Sequence, residues 1–333
     1  MTRKKRIGLS PLLTLVLCLV TAAAGGAYTV WSLAEEKYGG DHPAYTKQAV
    51  RELNSSSMEY KLAEKVLGAD QMAALRTPDQ AVDANEVLLS EMSKEEIDPD
   101  TNGDGVYIEH IYSATYEGYM MVVKDPKKVF VAINPDMGSG RAAPELEDYV
   151  EMHKALAGIN GGGFEDAGGT GNGSIPAGIT ILNGKLISGG SPQPILGITK
   201  DHKLVTLTTT GQGALDMGVV EAVTFGPTFI TNGKVTYVPG TDNLNNLNPR
   251  TAVGQTKDGT FLLLVIDGRG PSSFGAKYED VVKIFQDYEA VMAGNLDGGN
   301  SSVMIYNGRY VHYPVSMYDS RNLPSVLLVR GDK

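Results

Sequence analysis

Ala290-Val291-Met292-Ala293-Gly294-Asn295-Leu296-Asp297-Gly298-Gly299-Asn300-Ser301-Ser302 is the stretch on which the fold turns. Its first half predicts a buried strand over Ala290 to Leu296, and its second half a loop of glycines and hydroxyls that carries one acid, Asp297. Immediately upstream, Val281, Val282, Ile284 and Phe285 recur at helical spacing, so Tyr278 to Tyr288 predicts a helix running into that strand. Small side chains, free backbone donors and a fixed carboxylate suit a charged, oxygen-rich ligand better than a packed core.

The same order of helix, strand and glycine loop occurs earlier. Helical periodicity over Glu145 to Leu156 leads into a strand candidate, Ala157 to Asn160, which ends in Asn160-Gly161-Gly162-Gly163. A third apolar run, Phe261 to Ile266, ends in Asp267-Gly268-Arg269-Gly270. Ligands collect at such strand ends because the loops there leave a crevice shared by side chains from separate strands. Asn183-Gly184, Asn232-Gly233, Asp258-Gly259 and Asn307-Gly308 read as hairpin turns, since these pairs tolerate positive φ. Together these features predict an α/β fold of the α+β kind: a mixed, largely antiparallel sheet with packed helices, preceded by a membrane anchor and a short helical region.

Read as a two-residue loop, Asp258-Gly259 sets Lys257 opposite Thr260 and therefore Arg250 opposite Asp267, with Cβ atoms about 5 Å apart on one sheet face. That pair is either part of a shared site or a cross-strand ion pair closing the hairpin. In both cases Asn248-Pro249-Arg250 joins the edge where the other motifs end.

With 333 residues, 42% of them apolar, the chain can hold one sizeable domain and an accessory region. A formal charge of −10 without a basic body excludes nucleic acid as a partner. Arg3, Lys4, Lys5 and Arg6 precede an uncharged stretch from Ile7 to Leu33, long enough to cross a bilayer at about 20 residues per span with the cations left in the cytoplasm. Residues 1–34 therefore predict a basic tail and single-pass anchor, the C-terminal body standing outside the cytoplasm. The alternative is a cleaved signal, with Ala22-Ala23-Ala24 before Gly25-Gly26, and a secreted body. Cys18 is the only cysteine, so disulfide and thiolate chemistry are excluded from the body. The five histidines are scattered and show no metal-ligand spacing.

Residues 35–97 predict a helical stalk, with Leu53, Met58, Leu62 and Val66 along one face and capping boxes at Thr77 to Gln80 and Ser93 to Glu96. The main domain is expected over 98–333. At its start Asp98, Asp100, Asn102, Asp104 and Glu109 match the spacing of a twelve-residue calcium loop, with Gly103 at its sharp turn, although Val106 to Tyr112 reads as a strand. The two readings are a structural calcium site and an acidic interdomain turn. No cofactor is required in either.

Five segments in order resemble the phosphodiester glycosidase family: Gly158-Ile159-Asn160-Gly161-Gly162-Gly163-Phe164, Phe225-Gly226-Pro227, Asn248-Pro249-Arg250-Thr251-Ala252-Val253-Gly254, Asp267-Gly268-Arg269 and Asn295-Leu296-Asp297-Gly298-Gly299. The likeness spans about residues 105 to 330; Asn300 departs from it, Ser or Gly being common there. It implies hydrolysis of a sugar 1-phosphodiester, of N-acetylglucosamine type, to free sugar and phosphate monoester, in envelope or exopolysaccharide metabolism. On that reading Asp297 is the acid, base or nucleophile, and Asp267 is a second carboxylate or orients Arg250. Arg250, then Arg269, binds phosphate, while Asn160, the amides of Gly161, Gly162 and Gly163, and Asn295, Gly298, Gly299 and Ser301 line the substrate. A phosphate leaving group needs less protonation than an alkoxide, so one carboxylate, a cation and backbone donors suffice. Glu165 and Asp166 are reserve acids, and Gly168 to Ser174 reads as a substrate-covering flap. Two other functions fit the residues: a non-catalytic carbohydrate-binding or assembly factor, which tolerates loss of Asp297, and a metal-dependent phosphodiesterase, which needs clustered ligands.

Overall fold

The computed structural model describes residues 58–76, 92–100, 103–166, 171–239, 246–269, 273–311 and 321–332. The expected anchor, Leu53 and the capping box at Thr77 to Gln80 lie outside these residues. No helix among those described is long and apolar enough to cross a membrane. The chain divides into two compact units, Met1–Leu89 and Ser90–Lys333. In the first, helices Met58–Leu67 and Ala69–Arg76 are joined at Gly68, which takes φ +82°, and bury Ala63 and Met72.

Three sheets build the second unit. The largest has the strand order Ser93–Asp98, Val106–Tyr112, Glu117–Val123, Phe261–Ile266, Arg250–Thr256, Ala290–Asn295, Thr228–Thr231, Lys234–Val235. One five-stranded sheet runs Lys185–Ser188, Thr180–Leu182, Val219–Thr224, Gln193–Thr199, Leu204–Thr209. The other runs Arg309–Tyr310, Met304–Tyr306, Ala155–Asn160, Ser325–Arg330, Val129–Ile133.

All strand pairs among the described residues are antiparallel, which corrects the mixed sheet expected from the helix–strand order. The reason is topological. Helix Leu146–His153 joins Val129–Ile133 to Ala155–Asn160, and helix Tyr278–Asp287 joins Phe261–Ile266 to Ala290–Asn295. Each joined pair runs in the same direction, but an antiparallel strand from elsewhere in the chain, Ser325–Arg330 or Arg250–Thr256, is inserted between the two.

Every sheet turns one face to a common core. Val253, Leu263 and Val265 meet Ile159 and Leu327 of one smaller sheet and Leu196 and Val223 of the other. Helices cover the outer faces: Val281, Ile284 and Phe285 lie on Ala252, Leu262 and Leu264, while Leu146 and Tyr149 lie on Val326 and Leu328. Burial on both sides is why Phe261–Ile266 and residues 326–329 are unbroken apolar runs and do not alternate.

Two local expectations change. Ser93 to Glu96 opens no helix; it lies in an edge strand that pairs Ser93 with Tyr112 and Glu95 with His110. The hydroxyl and acid are spaced for a cap, but no apolar helical face follows them, and pairing with Val106–Tyr112 prevails. Helix Leu146–His153 stops before Leu156 because Lys154 enters the left-handed region at φ +50°, so the next strand starts at Ala155.

Asn183-Gly184, Asn232-Gly233 and Asn307-Gly308 do turn hairpins with both residues at positive φ. Asp258-Gly259 does so differently. Thr256 donates to Thr260 across the turn, so the loop is Lys257, Asp258 and Gly259, the last at φ +98°. The extra residue shifts the register by one and pairs Arg250 with Ile266, not with Asp267. Because side chains alternate, that single residue moves Arg250 to the opposite face of the sheet.

Candidate functional site

Strand ends from the sheets meet around the loop after Asn295. Asp297 N–H donates to Gly161 O at 3.1 Å, and Asn160 Nδ2 donates to Asp297 O at 2.5 Å. The other half of the Asn160 amide accepts from Thr251 Oγ1 at 2.7 Å and Val303 N at 3.3 Å. Gly299 N donates to Pro249 O at 3.0 Å. Arg269, exposed and at φ +60°, donates to Asn300 Oδ1 at 2.6 Å and Asn248 Oδ1 at 3.0 Å. Asn295 Nδ2 donates to Gly226 O at 3.0 Å, which brings Phe225-Gly226-Pro227, with its cis Gly226–Pro227 bond, to the same place. The structure thus gathers all five segments singled out in the sequence.

Within that cluster several roles differ from expectation. Asn160 is fully buried and its amide bonds Asp297, Thr251 and Val303, so it fixes the Asp297 loop from within the core. The three glycine amides are engaged as well: Gly161 N with Ser325 O, Gly162 N with Ser325 Oγ and Gly163 N with Thr224 O. They tie three strand ends together. Glycine is needed for closeness, because a Cβ at Gly161 would stand 2.7 Å from Ser325 O and one at Gly162 2.8 Å from Thr224 O. Gly161→Ala is accordingly expected to destabilise the domain by about 2 kcal/mol through overpacking, read as a lower denaturant midpoint with an unchanged slope. Asn295, 1% exposed, braces the loop against Gly226 and Pro227.

Arg250 is the largest correction. Its shifted register puts it on the helix-covered face, 5% exposed, with the guanidinium 4.0 Å over the Tyr278 ring. Nε donates to Ala276 O and Nη2 to Asn246 O. A clamp with Asp267 does not form. Thr251, its neighbour on the inner face, reaches Asn160 instead. Asp267 is half-buried just beyond its strand, its N–H on Glu117 O and its own carbonyl accepting from Ser273 Oγ. Strand Arg250–Thr256 lies between the strand that ends just before Asp267 and the one that ends before Asp297.

Asp297 keeps a small exposed face but is otherwise enclosed, and burial pushes its carboxyl up to about 6. Working against burial are the Ser301 hydroxyl, the charge of Arg321 and the Gly298 N–H, while Asp166 acts weakly in the raising direction. Ser301 itself is buried in the short turn Gly299–Ser301.

Arg321 has no motif around it, and nothing in the sequence singles it out. Its guanidinium makes a two-point pair with Asp166, both bonds 2.8 Å, donates to Gly171 O at 3.2 Å, and lies 4.8 Å from the Phe164 ring centre. Asp166 is therefore no reserve acid; Arg321 holds its carboxyl below the ordinary range. Nor are the described residues of the expected flap, Gly171 to Ser174, a loose cover. Ala143 N donates to Asn172 O, Gly138 N to Ser174 O, and a Cβ at Gly173 would meet Asn322 O at 2.8 Å.

Of the expected calcium loop, the three described ligand positions are engaged elsewhere. Glu109, its twelfth position, sits in a strand and accepts from the Tyr288 hydroxyl, because strand geometry carries it to the sheet face. Lys128 Nζ occupies the Asp104 carbonyl at 2.7 Å, and Asp100 pairs with Lys124 and Gly105 N. Asn102 and the Asp98 side chain lie outside the described residues. Among the described residues no three His, Cys, Asp or Glu side chains are grouped closely enough to hold a metal ion.

This fold and site define an α+β, three-sheet domain with an enclosed acid on a strand-end glycine loop. The phosphodiester glycosidase family pattern matches residues 153–330, more than half of the sequence, and the chain belongs to that family. It is 26% identical to the mouse N-acetylglucosamine-1-phosphodiester alpha-N-acetylglucosaminidase over 62% of this chain and 43% of that protein. With the human protein of the same name it shares 25% over 65% and 46%. The chain thus spans less than half the length of these curated relatives. In fold it resembles the catalytic domain of the zebrafish protein of that name, with a TM-score of 0.57 and 23% identity over 72% of this chain and 88% of that one.

Proposed function

We propose that the domain is a glycosidase that hydrolyses a sugar 1-phosphodiester of N-acetylglucosamine type to free sugar and phosphate monoester. Family membership supports this reading, and the observation that carries it is the enclosed Asp297, its carboxyl near 6 on a loop braced by every segment that resembles the family. Phosphate leaves without needing full protonation, so the useful form of Asp297 is the carboxylate, either as the base that takes a proton from the water attacking the sugar carbon or as the nucleophile at that carbon, the ester then opened by water. Asp267 is the second carboxylate, and Arg269 is the exposed cation of the loop mouth. The activity belongs to envelope or exopolysaccharide metabolism outside the cytoplasm, on a chain held by residues 1–34; protease reaching the domain on intact cells tests that placement.

The primary test is release of N-acetylglucosamine from a synthetic α-linked 1-phosphodiester in heavy-oxygen water. Label in the sugar is expected, from C–O cleavage; label in the phosphate would replace the glycosidase by a phosphodiesterase. Binding without turnover would favour a carbohydrate-binding or assembly role. A further expected outcome concerns pH. Since the carboxylate is the active form, kcat/KM should be level above about pH 6.5 and fall roughly tenfold per pH unit below about pH 5.5, in step with Asp297 protonation.

A further inference from the structure

We propose that Arg321 takes the phosphoryl group of the substrate and that Asp166 is the residue that positions it, an inference that rests on the glycosidase reading above. The sequence offered Arg250 for this task, but Arg250 is stacked on Tyr278 on the far face of the sheet and closed off by two backbone carbonyls. Arg269 is exposed and bracketed by Asn248 and Asn300.

Arg321 is differently placed. The chain leading from Gly161–Gly163 reaches Phe164 and Asp166, and the chain leading back from Ser325 reaches Arg321, four residues before it. Gly161 is the residue that both accepts from Asp297 N and donates to Ser325 O. Asp166 and Arg321 therefore extend from the two segments clamped directly beside the Asp297 backbone. Consistent with that nearness, Arg321 is the cation whose charge acts on the Asp297 carboxyl.

The guanidinium is pre-organised. Two donors lie on Asp166, a third on Gly171 O, and the Phe164 ring supports one face. An arginine has five N–H donors, so Nε–H and one Nη1–H take no partner among the described residues. They lie on opposite edges of the planar guanidinium, so a phosphate oxygen can take one of them while the Asp166 pair stays intact. Lysine, a point charge without a fork, could not hold both contacts at once.

The test is equilibrium titration of the full chain with α-N-acetylglucosamine 1-phosphate and, separately, with free N-acetylglucosamine. Arg321→Gln should weaken the sugar phosphate about 10- to 100-fold, the worth of lost charge-assisted bonds, and leave the free sugar within about twofold. Arg321→Lys should recover only part of the loss, and Asp166→Asn should fall between. A second readout separates positioning from mere packing. Arg321→Gln should move the acid limb of kcat/KM upward, since Arg321 holds the Asp297 carboxyl down, and Asp166→Asn should move it downward. Equal weakening of both probes, or unchanged affinity for the sugar phosphate, overturns the assignment while leaving a turning-over glycosidase in place. A parent chain that neither binds the sugar phosphate nor turns over a diester overturns the glycosidase reading, and this one with it.

Discussion

Asp297→Asn is expected to lower kcat/KM for a sugar 1-phosphodiester by about three orders of magnitude and, near neutral pH, to make the domain more stable by about 2 kcal/mol. The two effects share one cause. Folding encloses a carboxylate, and its pKa rises from 3.8 to about 6. Below 3.8 both folded and unfolded chains hold the proton, and the group is neutral in its effect. Between 3.8 and about 6 the unfolded chain releases its proton while the folded chain keeps it, so stability falls as pH rises, and above about 6 the loss is complete. A rise of that size corresponds to about 3 kcal/mol, and the bonds from Ser301 and Gly298 that asparagine cannot fully replace reduce the gain. Melting temperatures of parent and variant should therefore diverge at pH 7 and converge toward pH 4. A variant less stable than the parent at every pH would show that enclosure of Asp297 is not the cause.

Asn160→Ala should destabilise the domain by about 4 kcal/mol. Asn160 is fully buried and supplies three bonds to three separate segments: Asp297 O, Thr251 Oγ1 and Val303 N. Each orphaned buried group costs about 1–3 kcal/mol, and a methyl group leaves a void in which none is satisfied. Because Asn160 holds the carbonyl of Asp297 itself, turnover should drop about 100-fold even in the fraction that folds, through misplacement of the carboxylate. Chemical denaturation gives the first number, and kcat/KM at a temperature well below the melting point gives the second. A variant that loses activity with undiminished stability would recast Asn160 as a ligand contact, the role its motif suggests in the sequence.

Much of this architecture was readable locally. Phe261–Ile266, Tyr278–Asp287 and the strand from Ala290 follow from runs and periods of apolar residues, and three Asn-Gly turns follow from tolerance of positive φ. The convergence of the three glycine-loop motifs was legible too, since each ends a strand. What failed was fine register. Asp258-Gly259 closes a three-residue loop, and one residue was enough to exchange Arg250 for Thr251 on the inner face.

By itself, then, the sequence determined the α+β class, the two helix–strand–glycine-loop units and the identity of the enclosed acid, because hydrophobic period and turn chemistry act over a few residues. Only the tertiary structure decided which strands became neighbours, that the glycine amides are engaged with Ser325 and Thr224, and that Arg321 meets Asp166 from 155 positions away. Those contacts depend on the inserted antiparallel strands and on close backbone approach. Both are set by how three sheets share one core, and neither leaves a signature in any short stretch of chain.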